Sequence, residues 1–229
     1  MVICMKKKRL YIILSVLLLS LVVTFVDTFV KPNYFYKIIV KAISFLLIPV
    51  FYFVLNKEEI NDFKKLFIPK KKMILKLIVL AFLIYFGIVG GYFLTRNIID
   101  YSNVSTNLEK SMGIDSSNLI YVTLYISLMN SFLEEFFFRG FGFITLKKYV
   151  DKRFAYLFSP LLFAVYHIGM LIGSFHVGMI FLLMLGLIFG GCIFNYLNEK
   201  SENIYASWFV HMFANFGINT VGFILFGIL

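Results

Sequence analysis

Long apolar runs separated by short polar segments dominate the pattern of this chain. A helix of about 20 apolar residues crosses the hydrocarbon core of a bilayer. Runs of that length occupy residues 10–29, 35–55, 73–94, 119–146, 154–172, 177–197 and 204–229. Because a segment in lipid must satisfy its own backbone hydrogen bonds, each run is predicted to be a helix. The pattern therefore predicts an all-α, polytopic transmembrane bundle of about seven spans, with eight as the alternative count.

Basic residues set the predicted orientation of these spans. Clusters of Lys and Arg at 6–9, 57–76 and 147–153 fall on one side of the membrane if the seven spans alternate. Positive residues favour the cytoplasmic side, so the N-terminus is predicted to be cytoplasmic and the polar loop 95–118 external. The first run follows a basic cluster as in a signal peptide, but no small-residue cleavage site follows it, and we interpret it as an uncleaved span.

Composition narrows the class of protein further. The 229 residues are 61% hydrophobic with a net charge of +10, and their mean hydropathy is +0.89. A soluble domain of this size could not bury so much apolar surface, so the bilayer is the expected solvent of one membrane domain. The positive charge lies beside the apolar runs, which favours a membrane surface and argues against a nucleic-acid partner.

The fourth run contains three ionisable residues, Glu134, Glu135 and Arg139. Each costs roughly 2.5–3.5 kcal/mol to insert into hydrocarbon, so together they indicate a functional site that faces the bundle interior. Glu135 and Arg139 lie four residues apart and share one helix face, whereas Glu134 points about 100° away. The alternative is a structural ion pair that fixes helix packing, and it leaves Glu134 without a partner.

Two of the three histidines lie inside later runs. His167 shares a helix face with Phe163, and His211 shares one with Asn215. Taken alone, each polar residue is explained equally well by hydrogen bonding between helices. Together with Glu134 they lie about 7–14 residues from the same predicted border, or about 10–20 Å. We therefore expect them to meet in one cavity that forms an active site inside the bundle.

These motifs carry a family resemblance. The order E-E-x-x-F-R-G, F-x-x-x-H and H-x-x-x-N resembles the CPBP family of intramembrane proteases, which includes the eukaryotic CAAX-prenyl endoprotease and bacterial Abi or bacteriocin-immunity proteins. The matching residues are Glu134, Glu135, Phe138, Arg139, Gly140, Phe163, His167, His211 and Asn215. The resemblance covers roughly residues 119–220. It implies a catalytic core at 119–229, preceded by a three-span region with its external loop at 1–118.

The resemblance also implies a mechanism, the hydrolysis of a peptide bond by a glutamate-activated water. Glu134 is then the general base, and His167 helps to polarise the same water. His211 and Asn215 are expected to donate hydrogen bonds to the developing oxyanion, which stabilises it by several kcal/mol in a dry site. The expected supporting residues are Glu135, Arg139 and Phe163.

A metal is the main ambiguity in this expectation. Glu134, His167 and His211 are also a ligand set for catalytic zinc, with a fourth position left for water. The family is often labelled a metalloprotease, but the H-E-x-x-H spacing of soluble zinc proteases is absent from this sequence. We therefore expect no obligatory cofactor and keep zinc as the alternative.

The substrate is expected to be a membrane-inserted or membrane-associated peptide. A composition rich in Lys, Ile and Phe is typical of an AT-rich bacterium, so a bacterial cell membrane is the expected location. Two other functions remain open at this point. One is a non-catalytic membrane partner, either a bacteriocin immunity protein or a modulator of a sensor kinase. The other is a transporter, although no inverted repeat supports it.

Overall fold

The structure is a computed structural model that describes residues 2–30, 32, 34–68, 74–172 and 175–229. Within these ranges the chain is helical and forms no strand, which confirms the all-α fold. The α-helices are α1 Val2–Phe25, α2 Tyr34–Ala42, α3 Ile48–Leu55, α4 Ile60–Lys65, α5 Ile74–Thr95, α6 Ser102–Met112, α7 Leu119–Leu124, α8 Ser131–Glu134, α9 Lys152–Leu171, α10 Val177–Ser201 and α11 Tyr205–Leu225.

Six helical segments in the described ranges are long and apolar enough to cross a bilayer. They are Met5–Val30, Phe35–Leu55, Ile74–Thr95, Lys152–Leu171, Val177–Ser201 and Tyr205–Leu225. They coincide with six of the seven predicted runs and confirm a polytopic membrane protein. The start of the third run, predicted at residue 73, lies outside the described residues.

The remaining predicted run, residues 119–146, lies in one helical segment of residues 119–148 that we call the glutamate helix. It alternates α-helical turns with π-helical turns at Tyr125–Asn130 and Glu135–Thr145, and ends in a 3₁₀ turn at Leu146–Lys148. This segment, which contains Glu134, Glu135 and Arg139, is not among the six candidate spans. π-Helical turns widen the helix and are frequent at functional sites, although this chain also has them at Val26–Val30 and Ile43–Leu47.

Aromatic side chains bury the glutamate helix among its neighbours. Phe137 stacks on Phe45 at 4.3 Å between ring centroids, and Phe138 meets Phe45 and Phe163 edge-on, each at 5.4 Å. Such offset and edge-to-face pairs add about 0.5–1.5 kcal/mol each to the burial of the rings. Because Phe45 lies in the second apolar run and Phe163 in α9, these contacts place the glutamate helix in the interior of the bundle.

Two segments predicted as loops contain short helices. Helix α6 lies in the polar stretch 95–118, where Leu108 packs against the buried residues Ile114, Leu119 and Val122. Gly113 ends this helix with a φ of +65°, a conformation that glycine adopts without strain. Helix α4 lies in the charged segment between α3 and α5. Both were missed because each shows its apolar face over only one or two turns.

Helix α4 and the residue before it connect to the end of the glutamate helix. Glu59 accepts hydrogen bonds from Lys8 at 2.9 Å, from Tyr52 at 2.8 Å and from Tyr149. Burial alone raises the pKa of the Glu59 carboxyl, but the hydrogen bonds from Tyr149, Lys8 and Tyr52 lower it below its usual range. We call Glu59 and these three donors the border cluster. It holds α1, α3 and the glutamate helix together at one end of the bundle.

Candidate active site

Glu134 lies at the centre of the described bundle and is only 2% exposed. One carboxylate oxygen, Oε1, accepts hydrogen bonds from Asn130 Nδ2 at 2.6 Å and from the Tyr166 hydroxyl at 2.9 Å. Asn130 precedes Glu134 by one turn, and Tyr166 comes from α9. The other oxygen, Oε2, faces His211 Nε2 at 3.6 Å. This distance is too long for a direct hydrogen bond, so Oε2 is the oxygen left for chemistry.

The imidazole of His211 lies between the two glutamates. Its Nδ1 is 2.9 Å from Glu135 Oε1, and because a carboxylate only accepts, Nδ1 carries the proton. The hydrogen bond to Glu135 therefore fixes the ring so that Nε2 points towards Glu134. Glu135 Oε1 also lies 3.2 Å from Arg139 Nη1, as expected for residues one turn apart. The link between Glu135 and His211, which joins two helices, was not foreseen.

Arg139 is fully buried between two aromatic rings. Its guanidinium carbon lies 4.1 Å from the Phe163 centroid and 5.1 Å from the Phe194 centroid. Its nitrogens form no hydrogen bond within the described part of the chain, so the two rings and Glu135 stabilise the charge. Gly191 makes room for this arrangement, since a Cβ at that position would lie 3.0 Å from Arg139 Nη2.

One ring nitrogen of His167 forms a hydrogen bond with the backbone of its own helix, α9. Its Nδ1 lies 2.7 Å from the Phe163 carbonyl oxygen, and a carbonyl only accepts, so Nδ1 donates. In the neutral ring, Nε2 is then an acceptor. The ring contacts Phe163 at 4.5 Å and Tyr166 at 4.6 Å. The Phe163 ring also lies 5.8 Å from His211, so this supporting residue contacts both histidines and Arg139.

Asn215 lies one turn beyond His211, as the spacing requires. Its Nδ2 donates to the backbone carbonyl of Ile126, at 3.2 Å, in the first π-helical stretch of the glutamate helix. An amide nitrogen has two hydrogens, so the second hydrogen of Asn215 is the one that could serve a substrate.

Comparison with protein families identifies the part of the chain that holds this site. Residues 116–217 match the family model described as "Type II CAAX prenyl endopeptidase Rce1-like". This segment is similar to the Rce1-like family. The match confirms the resemblance to CAAX-type membrane proteases that the three motifs carry. Neither the curated proteins nor the solved structures contain a match to the chain.

All seven predicted site residues lie within the matched residues 116–217, and the structure brings six of them into a connected cluster. They are Glu134, Glu135, Arg139, Phe163, His167 and His211. The seventh, Asn215, lies one turn beyond His211 on α11 and contacts the glutamate helix at Ile126, about two turns before Glu134.

The zinc ligand set considered from the sequence does not fit this geometry. In the described residues no three His, Cys, Asp or Glu side chains are grouped so that they could hold a metal ion. Both hydrogen bonds to Glu134 Oε1 come from neutral donors.

Three residues at the site were missed. Asn130 could have been found, because residues four apart share a helix face. Tyr166 is the neighbour of His167 in the sequence. Lys41 gave a weaker signal, because it is one of two lysines, with Lys37, inside the second apolar run. Its Nζ donates to Asn130 Oδ1 at 3.2 Å and lies 5.0 Å from the Tyr166 ring centroid.

Proposed function

We propose that this protein hydrolyses peptide bonds inside the membrane with a water activated by Glu134. The observation that carries the proposal is that the two oxygens of this carboxylate have different partners. Oε1 accepts two hydrogen bonds, whereas Oε2 faces the Nε2 of His211 at 3.6 Å. A general base needs one oxygen free to take a proton and a fixed orientation towards it. The Rce1-like match supports a CAAX-type endopeptidase.

In the proposed first step, Glu134 Oε2 takes a proton from water while the water oxygen attacks the carbonyl carbon of the scissile bond. His167 Nε2 accepts the second hydrogen of the water and orients it, because Nδ1 is committed to the Phe163 carbonyl. The carbonyl π electrons move to oxygen and form a tetrahedral oxyanion. Protonated Glu134 then passes its proton to the leaving nitrogen, the C–N bond breaks, and an acid and an amine result.

The oxyanion requires donors, and His211 is placed to be one. Its Nδ1 proton is engaged by Glu135, so Nε2 can donate only when the ring carries a second proton. Glu135, which keeps its charge after Glu134 has taken the proton, is the carboxylate that would stabilise such an imidazolium. The free amide hydrogen of Asn215 is the second proposed donor. Removing one such donor from an enzyme typically costs about 10²–10³ in kcat.

We propose a membrane-inserted or membrane-associated peptide as the substrate, since the site lies among the spans. The proposed setting is a bacterial cell membrane with a cytoplasmic N-terminus, as the basic clusters favour.

The experiment compares the wild type with Glu134→Gln in detergent, using a library of membrane-proximal peptides read by mass spectrometry. Gln keeps the shape of the side chain but cannot take the proton, so cleavage should fall by about 10²- to 10⁴-fold. Glu58→Gln is the matched control, because Glu58 is an exposed glutamate outside the spans. Parallel digests with a chelator test the zinc alternative.

Each outcome separates the rival functions. Cleavage by Glu134→Gln at the wild-type rate contradicts the proposed mechanism. Loss of wild-type cleavage on chelation assigns the chemistry to a metal. Absence of cleavage by the wild type across the library favours the non-catalytic membrane partner.

A further inference from the structure

Lys41 contacts both of the side chains that hydrogen-bond to Glu134. Its ammonium donates to Asn130 Oδ1 at 3.2 Å and lies 5.0 Å from the centroid of the Tyr166 ring. Asn130 and Tyr166 in turn donate to the same glutamate oxygen, Oε1. Lys41 on α2 therefore contacts both of the side chains that donate to Oε1 of the proposed base.

The charge of Lys41 needs an explanation, because it lies within a candidate span and is partly buried. Charged residues in such a position normally pair with a carboxylate. Lys37, one turn earlier on α2, follows that rule and lies 3.7 Å from Asp27. Lys41 has no carboxylate within ion-pair distance among the residues that the structure describes. Its contacts are instead the amide of Asn130 and the face of Tyr166.

The hydrogen bond from Lys41 determines how the Asn130 amide is oriented. An ammonium group can only donate, so the amide oxygen must face Lys41 and the NH₂ group must face Glu134. The opposite orientation would place the amide oxygen against a carboxylate and the NH₂ group against a cation. Lys41 therefore selects the orientation in which Asn130 donates to Oε1.

We propose that Lys41 is a positioning residue for the glutamate base: through Asn130 and Tyr166 it fixes Oε1 and leaves Oε2 to act. This inference rests on the proposed function, because the importance of the free oxygen depends on Glu134 acting as a base. It also places part of the active site outside residues 116–217, since α2 precedes the Rce1-like domain. The Rce1-like segment alone would then hold Glu134 incompletely.

The kinetic test uses Lys41→Met, Asn130→Ala and the double variant, with kcat and KM measured on a cleaved peptide. A displaced catalytic group typically costs up to about 10²-fold, so Lys41→Met should lower kcat by about 10- to 100-fold and leave KM near its wild-type value. If Lys41 acts through Asn130, the double variant loses little more than Asn130→Ala alone. Lys41→Arg keeps the charge and the donors and should recover most of the activity.

The matched control removes the neighbouring ion pair on the same helix. The variant Asp27→Asn with Lys37→Met leaves the net charge unchanged and should cleave at close to the wild-type rate. An unchanged kcat in Lys41→Met overturns the proposal, as does a multiplicative loss in the double variant. A raised KM with unchanged kcat also overturns it and assigns Lys41 to an anionic group of the substrate.

A second measurement needs no substrate. The infrared difference between a protein and its Glu134→Gln variant isolates the carboxylate band of Glu134. Recorded in the wild-type and in the Lys41→Met background, this band should shift between the two, because loss of Lys41 weakens the hydrogen bonds on Oε1. An identical band overturns the positioning role whether or not the protein is a protease. Failure of the proposed function would instead appear as cleavage that survives Glu134→Gln.

Discussion

Glu59 and Glu134 are two buried glutamates with opposite surroundings. Glu59 is 4% exposed and lies in the border cluster, where Lys8, Tyr52 and Tyr149 all donate to one of its oxygens. A second cation, Lys148, lies 3.6 Å from its other oxygen. Both oxygens of Glu59 therefore face positive charge or a hydroxyl donor, and the carboxylate holds α1, α3 and the end of the glutamate helix together.

Glu134 is equally buried but is held on one side only. Its two hydrogen bonds come from the neutral side chains of Asn130 and Tyr166, and both reach the same oxygen. The other oxygen faces an imidazole nitrogen of His211 at 3.6 Å. Burial alone therefore does not distinguish a carboxylate with partners on both oxygens from one that is hydrogen-bonded on a single oxygen. The two glutamates differ in the neighbour of the second oxygen. For Glu59 it is the ammonium of Lys148, and for Glu134 it is the imidazole of His211, which can exchange a proton.

The largest expected effect appears when each of these two glutamates is replaced by Gln in turn and the variants are compared for activity and stability. Glu134→Gln should lose about 10²- to 10⁴-fold in peptide cleavage, and it should lose less stability than Glu59→Gln because it weakens two hydrogen bonds from neutral donors and no bond to a cation. Glu59→Gln should retain the wild-type kcat but lose about 1.5–3 kcal/mol of stability, because hydrogen bonds to a charged group are weakened. Parallel activity assays and denaturation curves check both. A Glu59→Gln protein that is stable but inactive would break the comparison.

The next effect concerns Glu135, which shares features of both sites. Like Glu59 it pairs with a cation, Arg139, and like Glu134 it contacts His211. Glu135→Gln should therefore lower both stability and kcat. Removing one partner of a buried ion pair typically costs about 3–5 kcal/mol, so the loss of stability should exceed that of Glu59→Gln. A variant with normal kcat in the fraction that remains folded would show that His211 does not need Glu135.

A smaller effect is expected for Tyr166→Phe, which removes one of the two donors to Glu134 Oε1. A hydrogen bond to a charged group contributes about 1.5–3 kcal/mol, and Asn130 should compensate for part of that loss. We expect kcat to fall by about 10-fold and KM to change little. Steady-state kinetics on the same peptide check this. Tyr156→Phe is the matched control, since that hydroxyl donates to Glu199 rather than to the site.

Contacts within a single helix were easier to predict from the sequence than contacts between helices. Apolar runs of about 20 residues have essentially one solution in lipid, so the spans were predictable. The pair of Glu135 and Arg139 follows from a spacing of four. The contact between Glu135 and His211 depends on how two helices are rotated. That rotation is altered by the π-helical turns of the glutamate helix, which no short pattern reveals.

Lys41 illustrates the same limit. Its neighbours on α2 do not indicate which way it faces, and the resemblance covers only the later part of the chain. The residues it contacts, Asn130 and Tyr166, come from two other helices. The sequence indicates that such polar residues lie inside apolar runs. It does not indicate which residues of other helices they contact, because that depends on how the helices pack.

The smallest expected effect is a pH dependence that belongs to Glu59 rather than to Glu134. Hydrogen bonds from Tyr149, Lys8 and Tyr52 lower the pKa of Glu59 in the folded protein, despite the opposing effect of burial. A group whose folded pKa is lowered adds stability above its unfolded pKa, near 4.5, and that stability is lost as the pH falls through the lowered folded value. The stability difference between wild type and Glu59→Gln should therefore be constant at neutral pH and shrink below about pH 4.5. Unfolding midpoints measured across this range check the prediction, and a difference that persists at low pH would mean that the border cluster stabilises the bundle through packing alone.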